Sequence, residues 1–175
     1  VLDESIWTVV NPNNDATWFM DGQKFRLSVP AGVSHDFPGT GATAARLMQA
    51  GGSGDFGLEV KFDSVIGTVG QMQGILIEED AGTYIRISYE MSPTKGPIMF
   101  AAFVVDGVMV KGVTREFNLL VPPQTVPPAY MRVTRTGDEW AWYWSQNGTN
   151  WQRANLPYSL SLSVLNAGVF SGNTG

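Results

Sequence analysis

The chain has no cysteine. Disulfide staples, thiol nucleophiles and cysteine-based zinc sites are therefore excluded. It has one histidine, His35, too few for a histidine-rich metal centre. Charge is sparse as well: 11 Lys and Arg stand against 16 Asp and Glu in 175 residues, a formal net charge of −5. Nowhere do the cations run together, and clustered cations are what nucleic-acid phosphates and anionic lipid headgroups require. The chain is therefore read as a partner of neither nucleic acid nor membrane, and a neutral ligand suits it better. Its longest apolar stretches, such as Phe100 to Val105, are too short to span a bilayer. No secretory leader is visible before the opening Val1. That start is expected of a mature or excised segment of a secreted, extracellular protein, with the other domains of the parent chain as neighbours.

What is present points to a packed fold. Hydrophobic residues make up 43% of the chain and charged residues 15%, the opposite of the balance in disordered chains. A length of 175 residues suits one domain over 1–175 with a sizeable core. The 20 Gly and 10 Pro are scattered, as expected for many short elements joined by turns.

Apolar residues alternate with polar ones nearly throughout, the period of strands. Trp18 to Met20 and Phe25 to Val29 read as a hairpin around Asp21-Gly22. Phe56, Leu58, Val60 and Phe62 share one face of a strand. Gln71 to Ile77 pairs with Thr83 to Tyr89, and Ile98 to Val105 pairs with Val108 to Val113 around Asp106-Gly107. Tyr130 to Thr136 pairs with Glu139 to Ser145 around Gly137-Asp138. Asn147-Gly148 turns the chain toward Trp151, and Ala167 to Phe170 is the last clear strand. Ten to thirteen strands at such spacing predict an all-β, two-sheet antiparallel β-sandwich. Only Ala42 to Met48 and Tyr158 to Leu165 leave room for a short helix. The proline-rich Val121 to Ala129 is expected to cross between the sheets.

The ordered set Leu2 to Pro12, Phe25-Arg26-Leu27, Val29-Pro30-Ala31-Gly32 with His35-Asp36, Asp55 to Phe62, Gln73 to Ile77, Arg132 to Arg135, Ser145 to Trp151 and Ala167 to Phe170 resembles concanavalin A-like lectin/glucanase domains of bacterial extracellular proteins. The likeness is to the LamG-like jelly rolls, the branch labelled DUF1349, and covers nearly the whole chain. It implies a jelly-roll sandwich concerned with glycans, and one further strand after Ala167 to Phe170. It also admits a structural calcium ion, for which Asp3, Glu4, Asp55 and Asp63 are the available donors, and no other cofactor.

Catalysis is weakly supported by the residues. Glycosidic hydrolysis needs two carboxylates about 5–9 Å apart. The densest acidic run is Glu78-Glu79-Asp80, but neighbours on a strand point to opposite faces. His35 with Asp36 could serve a single proton transfer or touch a ligand; a loop histidine bonded to backbone is the plainer reading. Gly51-Gly52-Ser53-Gly54 precedes a strand rather than a helix, so it is no phosphate loop. Asn147-Gly148-Thr149 matches a glycosylation sequon and also reads as turn chemistry.

Sugar binding fits better, because sugar CH faces stack on aromatic rings while the hydroxyls need polar partners. Six Trp and five Tyr are present. Trp140, Trp142 and Trp144 share one face of a strand, either as a stacking platform or as core; in the latter case Tyr143 faces out beside Arg132. Gln71 and Gln73 share a face, as do Tyr84 and Arg86, and a Tyr-Arg pair beside Gln would form a shallow saccharide groove. The expected carbohydrate-binding residues are thus Gln71, Gln73, Tyr84, Arg86, Arg132, Trp142, Tyr143 and His35. The leading expectation is a non-catalytic, lectin-like module for a neutral polysaccharide or oligosaccharide. A glycoside hydrolase or polysaccharide lyase, or an adhesion module contacting protein, are the alternatives.

Overall fold

The structure, a computed structural model, describes residues 1–38, 41–117 and 128–175. Most of the expected proline-rich crossover, at 121–127, lies outside the described residues. No helix occurs among the described residues, and the strands form two antiparallel sheets and a separate hairpin. The larger sheet holds β1 (Trp7–Val10), β4 (Ser34–His35), β5 (Ala45–Ala50), β7 (Gln71–Glu78), β8 (Tyr84–Ser92), β9 (Gly96–Val105), β10 (Val108–Glu116) and β15 (Asn166–Thr174). Their order is β1-β5-β15-β7-β8-β9-β10, with β4 beside β15. The smaller sheet has β6 (Phe56–Lys61), β11 (Tyr130–Thr136), β12 (Glu139–Ser145), β13 (Gln152–Arg153) and β14 (Tyr158–Ser159). It runs β13-β12-β11-β6, with β14 on β12. β2 (Thr17–Asp21) and β3 (Lys24–Ser28) form the hairpin.

The two segments open to helix are not helical. Ala45–Ala50 is strand β5, hydrogen-bonded between β1 and β15, and Tyr158–Ser159 is the short β14. The helix propensity of Ala, Arg, Leu and Met is a weak preference that burial between two strands overrides. Turn chemistry explains the hairpins. Asp106 and Gly107 both have positive φ, 49° and 78°, as a type I′ turn demands. In the first hairpin Asp21 pairs with Lys24, so the loop is Gly22-Gln23, one residue later than Asp21-Gly22. Gly22 supplies the positive φ of 62° there.

The main core lies between the sheets. Ile75 and Ile77 of β7, Ile85, Ile87 and Tyr89 of β8, and Met99 and Phe103 of β9 pack against Met131 and Val133 of β11 and the three tryptophans of β12. A second apolar cluster covers the opposite, outer face of the larger sheet: Met48, Met72, Leu76, Tyr84, Val104 and Phe170, with Phe37 packed upon it.

Candidate functional site

The tryptophan row is core and not a platform. Trp140, Trp142 and Trp144 are at most 1% exposed. Trp142 packs on Phe103 with centroids 5.5 Å apart, and Trp144 meets Phe117 edge-on at 5.3 Å. Trp140 donates its Nε1–H to the Leu160 carbonyl at 2.9 Å, the partner a buried indole needs. Trp142 is therefore removed from the expected sugar contacts: its face of β12 is the one the larger sheet covers.

The expected groove at Tyr84 and Arg86 is closed as well. Both side chains point to the outer face of the larger sheet, but Tyr84 is 3% exposed. Phe37, from the chain segment after β4, lies 5.7 Å from the Tyr84 ring and 4.8 Å from Phe170. Burial pushes the Tyr84 hydroxyl above the usual phenol range, against the opposing pull of Arg86. The Arg86 guanidinium sits between Phe37 and Phe100, 5.4 and 5.3 Å from their centroids. It donates to Asp36 Oδ1 at 3.0 Å and pairs with Glu90 Oε1 at 3.1 Å.

Gln71 and Gln73 do not join this pair. Gln73 is opposite Tyr89, whereas Arg86 is opposite Leu76, so the glutamines occupy the other face of the sheet. Gln71 Oε1 accepts from the amides of Gly67 and Thr68, and Gln73 bonds Ser64. They order the loop before β7.

His35 is fully buried. Its Nδ1 lies 2.8 Å from the Val33 carbonyl and its Nε2 lies 2.9 Å from Asp15 Oδ1. Both ring nitrogens face partners inside the fold, and His35 touches no surface a ligand could reach. It ties β4 to the loop before β2.

The outer face of the smaller sheet brings two expected residues together. Tyr143 stands opposite Arg132, Arg132 opposite Glu59, and Tyr143 opposite Arg153. One row thus reads Glu59, Arg132, Tyr143, Arg153 across four strands. Arg132 donates from Nη2 and Nε to Glu59 Oε2 at 2.7 and 3.1 Å. Its guanidinium lies 3.9 Å from the Trp151 ring centroid, and Arg153 lies 5.7 Å from that of Tyr143. Trp151 is fixed by its Nε1–H to the Gly148 carbonyl at 3.1 Å and by edge contact with Tyr130 at 6.4 Å. Trp151 and Tyr143 are both half-buried. The result is a polar and aromatic ridge whose central cation is pre-set by a carboxylate and a ring.

Trp151, Arg153 and Glu59 were absent from the sequence expectation. Trp151 lies outside the regular alternation of β12, and its sole signal is the Asn147-Gly148 turn. In that turn Asn147 Oδ1 accepts from the amides of Thr149 and Asn150 at 3.0 and 2.8 Å, and Gly148 has a φ of 76°. This folds the chain back and sets Trp151 beside Tyr130.

Asp36 and Glu90 share the Arg86 guanidinium on the outer face of the larger sheet; the acidic run of the sequence is dispersed. Glu78 is opposite Tyr84 and Glu90 opposite Met72; six residues along a strand separate them by about 20 Å, beyond hydrolytic reach. Glu79 faces elsewhere and accepts from the Ser163 amide at 2.8 Å. Burial raises the Glu78 carboxyl above its ordinary value, with Arg46 opposing. Among the described residues no three His, Asp or Glu are grouped to hold a metal ion. Three of the four expected calcium donors have separate partners: Asp3 with Ser5, Asp55 with the Gly137 amide, and Asp63 with Lys24 and Lys61.

The architecture defines an all-β antiparallel jelly-roll sandwich, the coarse fold shared by lectins and glucanases. Three solved structures resemble it over most of both chains. A Saccharomyces cerevisiae protein described as functionally unknown matches with a TM-score of 0.75 at 16% identity, covering 97% of this chain and 88% of that one. A legume lectin-like domain from Entamoeba histolytica gives 0.63 at 11% identity, covering 98% and 83%. A glycoside hydrolase family 16 endo-glucanase from Bacteroides ovatus gives 0.54 at 13%, covering 100% and 84%. At these identities the likeness concerns the fold. No protein-family model and no curated protein matches the chain.

Proposed function

We propose that this chain is a non-catalytic, lectin-like module of a secreted glycan-active protein. It binds a neutral polysaccharide on the outer face of the smaller sheet, through Trp151, Tyr143, Arg132 and Arg153. The observation that carries the reading is the ridge itself. Two half-buried rings flank a guanidinium held by Glu59 Oε2 at 2.7 Å. Rings offer CH-stacking area at low entropic cost, and a fixed cation donates to hydroxyls without reorganising. The fold likeness to a lectin-like domain agrees with it, and the close carboxylate pair, Asp36 and Glu90, is tied up by Arg86 between Phe37 and Phe100, away from this ridge.

Isothermal titration with soluble neutral glycans, chiefly β-glucans and xylans, tests the proposal. Trp151→Ala and Tyr143→Ala are expected to weaken binding about tenfold each, or ~1.4 kcal/mol, with melting temperatures near wild type. Arg132→Ala should act similarly while freeing Glu59. Undiminished affinity in all three variants removes this surface from the function. Release of reducing ends from any of these glycans replaces the binding module with a glycanase.

A further inference from the structure

We infer that the cleft beside Glu90 is a binding site for an organic ammonium carried on an apolar body. It does not depend on the glycan reading, whose surface lies on the other sheet. The cleft is about 370 Å³ and is lined by Val69, Met72, Glu90, Met91, Pro93 and Ile98, among others. That volume is within the range of small-ligand pockets; the lining is mainly apolar, with the uncharged polar Gln71, Ser92 and Thr174, and Glu90 is its one charged side chain.

The carboxylate is held in place. Glu90 Oε1 accepts from Ser88 Oγ at 2.6 Å and pairs with Arg86 Nη2 at 3.1 Å. No described residue bonds Oε2, so one oxygen of a fixed carboxylate is left for a ligand. The local charge selects the kind. Arg86 also pairs with Asp36, so a single guanidinium stands between two carboxylates and the group carries a net charge of −1. Glu90 is mostly buried, its side chain 20% exposed, where a net charge is costly and a counter-ion correspondingly favoured. Neither Lys nor Arg is among the residues lining the cleft. A hard metal ion is a poor occupant, because it needs six or more oxygens and no three carboxylates or histidines converge among the described residues. An ammonium needs one carboxylate oxygen, and its apolar body meets Met72 and Ile98, the cross-strand neighbours of Glu90, where the Met72 thioether adapts to varied shapes.

The test uses the whole chain, cyclohexylammonium and its uncharged analogue cyclohexanol, titrated at constant ionic strength and followed by amide chemical shifts. The expected result is saturable shifts at Val69, Met72, Glu90 and Ile98 with cyclohexylammonium, at least tenfold tighter than cyclohexanol and weakening as salt rises. Glu90→Gln should abolish the preference for the cation. Because that change also removes a partner of Arg86, Val69→Lys serves beside it: Val69 is 57% exposed, and a new cation at the mouth should repel the probe tenfold or more without disturbing Arg86. Equal affinity for the two probes, shifts that map elsewhere, or a Val69→Lys protein that binds as wild type would each overturn the inference.

Discussion

Replacing Trp142 by alanine separates the core reading of the tryptophan row from the platform reading. The ring is 1% exposed and packs at a tilt on Phe103 with centroids 5.5 Å apart, so its loss leaves a cavity between the sheets. A buried aromatic side chain removes roughly 150–250 Å² from water. At about 25 cal/mol per Å² that is some 4–6 kcal/mol, and buried Trp or Phe to Ala changes span about 3–5 kcal/mol. A loss of ~4 kcal/mol is therefore expected, a large share of a stability of roughly 5–15 kcal/mol. Urea unfolding followed by far-ultraviolet circular dichroism measures it. With a slope of about 2 kcal/mol per molar, the midpoint should fall by ~2 M with the slope unchanged. Trp142→Phe, keeping most of the ring, should recover more than half of the loss. Glycan affinity of the folded protein, measured well below the transition, should match wild type. A loss below ~1 kcal/mol accompanied by abolished glycan binding would refute the reasoning, because it would mean the ring faces a ligand and not Phe103.

Other substitutions probe different parts of the fold. Gly74→Ala places a Cβ against the Ile87 carbonyl oxygen of the adjacent strand, and should cost roughly 3 kcal/mol or more in thermal or urea unfolding, since the obstruction is backbone and cannot rotate away. His35→Ala strands Asp15 and the Val33 carbonyl and should destabilise by about 2–3 kcal/mol, while leaving glycan affinity unaltered in the same titration. Asp63 is held down to about 2 from 3.8 by its bonds to Lys24 and Lys61. A depressed carboxylate contributes stability above its unfolded value and loses it as pH falls through the folded one. The melting temperature of Asp63→Asn should therefore lie slightly below wild type at neutral pH and converge with it between about pH 4 and 2. The gap should shrink in high salt, since all three groups are exposed or nearly so.

Which residues share a strand face was legible from spacing alone. Trp140, Trp142 and Trp144 do lie together, Tyr143 does face Arg132, and Tyr84 does accompany Arg86. These are consequences of the two-residue pleat, a property of the local backbone. The short strands, the Asp-Gly and Gly-Asp turns and the excess of apolar over charged residues likewise specify a sandwich before any contact is known. Whether two strands bring their polar residues to one side is a matter of register. Gln73 is opposite Tyr89 and not Arg86, a one-residue offset that sends the glutamines to the other face.

Whether a face is covered depends on segments distant in the chain, and only the tertiary structure decided that. Phe37 closes the outer face over Tyr84 and Arg86 from nearly fifty residues away, and nothing near Tyr84 encodes its arrival. Trp151 acquires its place because a glycine turn returns it to Tyr130 and Arg132. Local sequence set the elements and the sidedness of their residues, through backbone geometry that each segment carries with it. Exposure arose from packing between segments that the alternation of any one strand does not report.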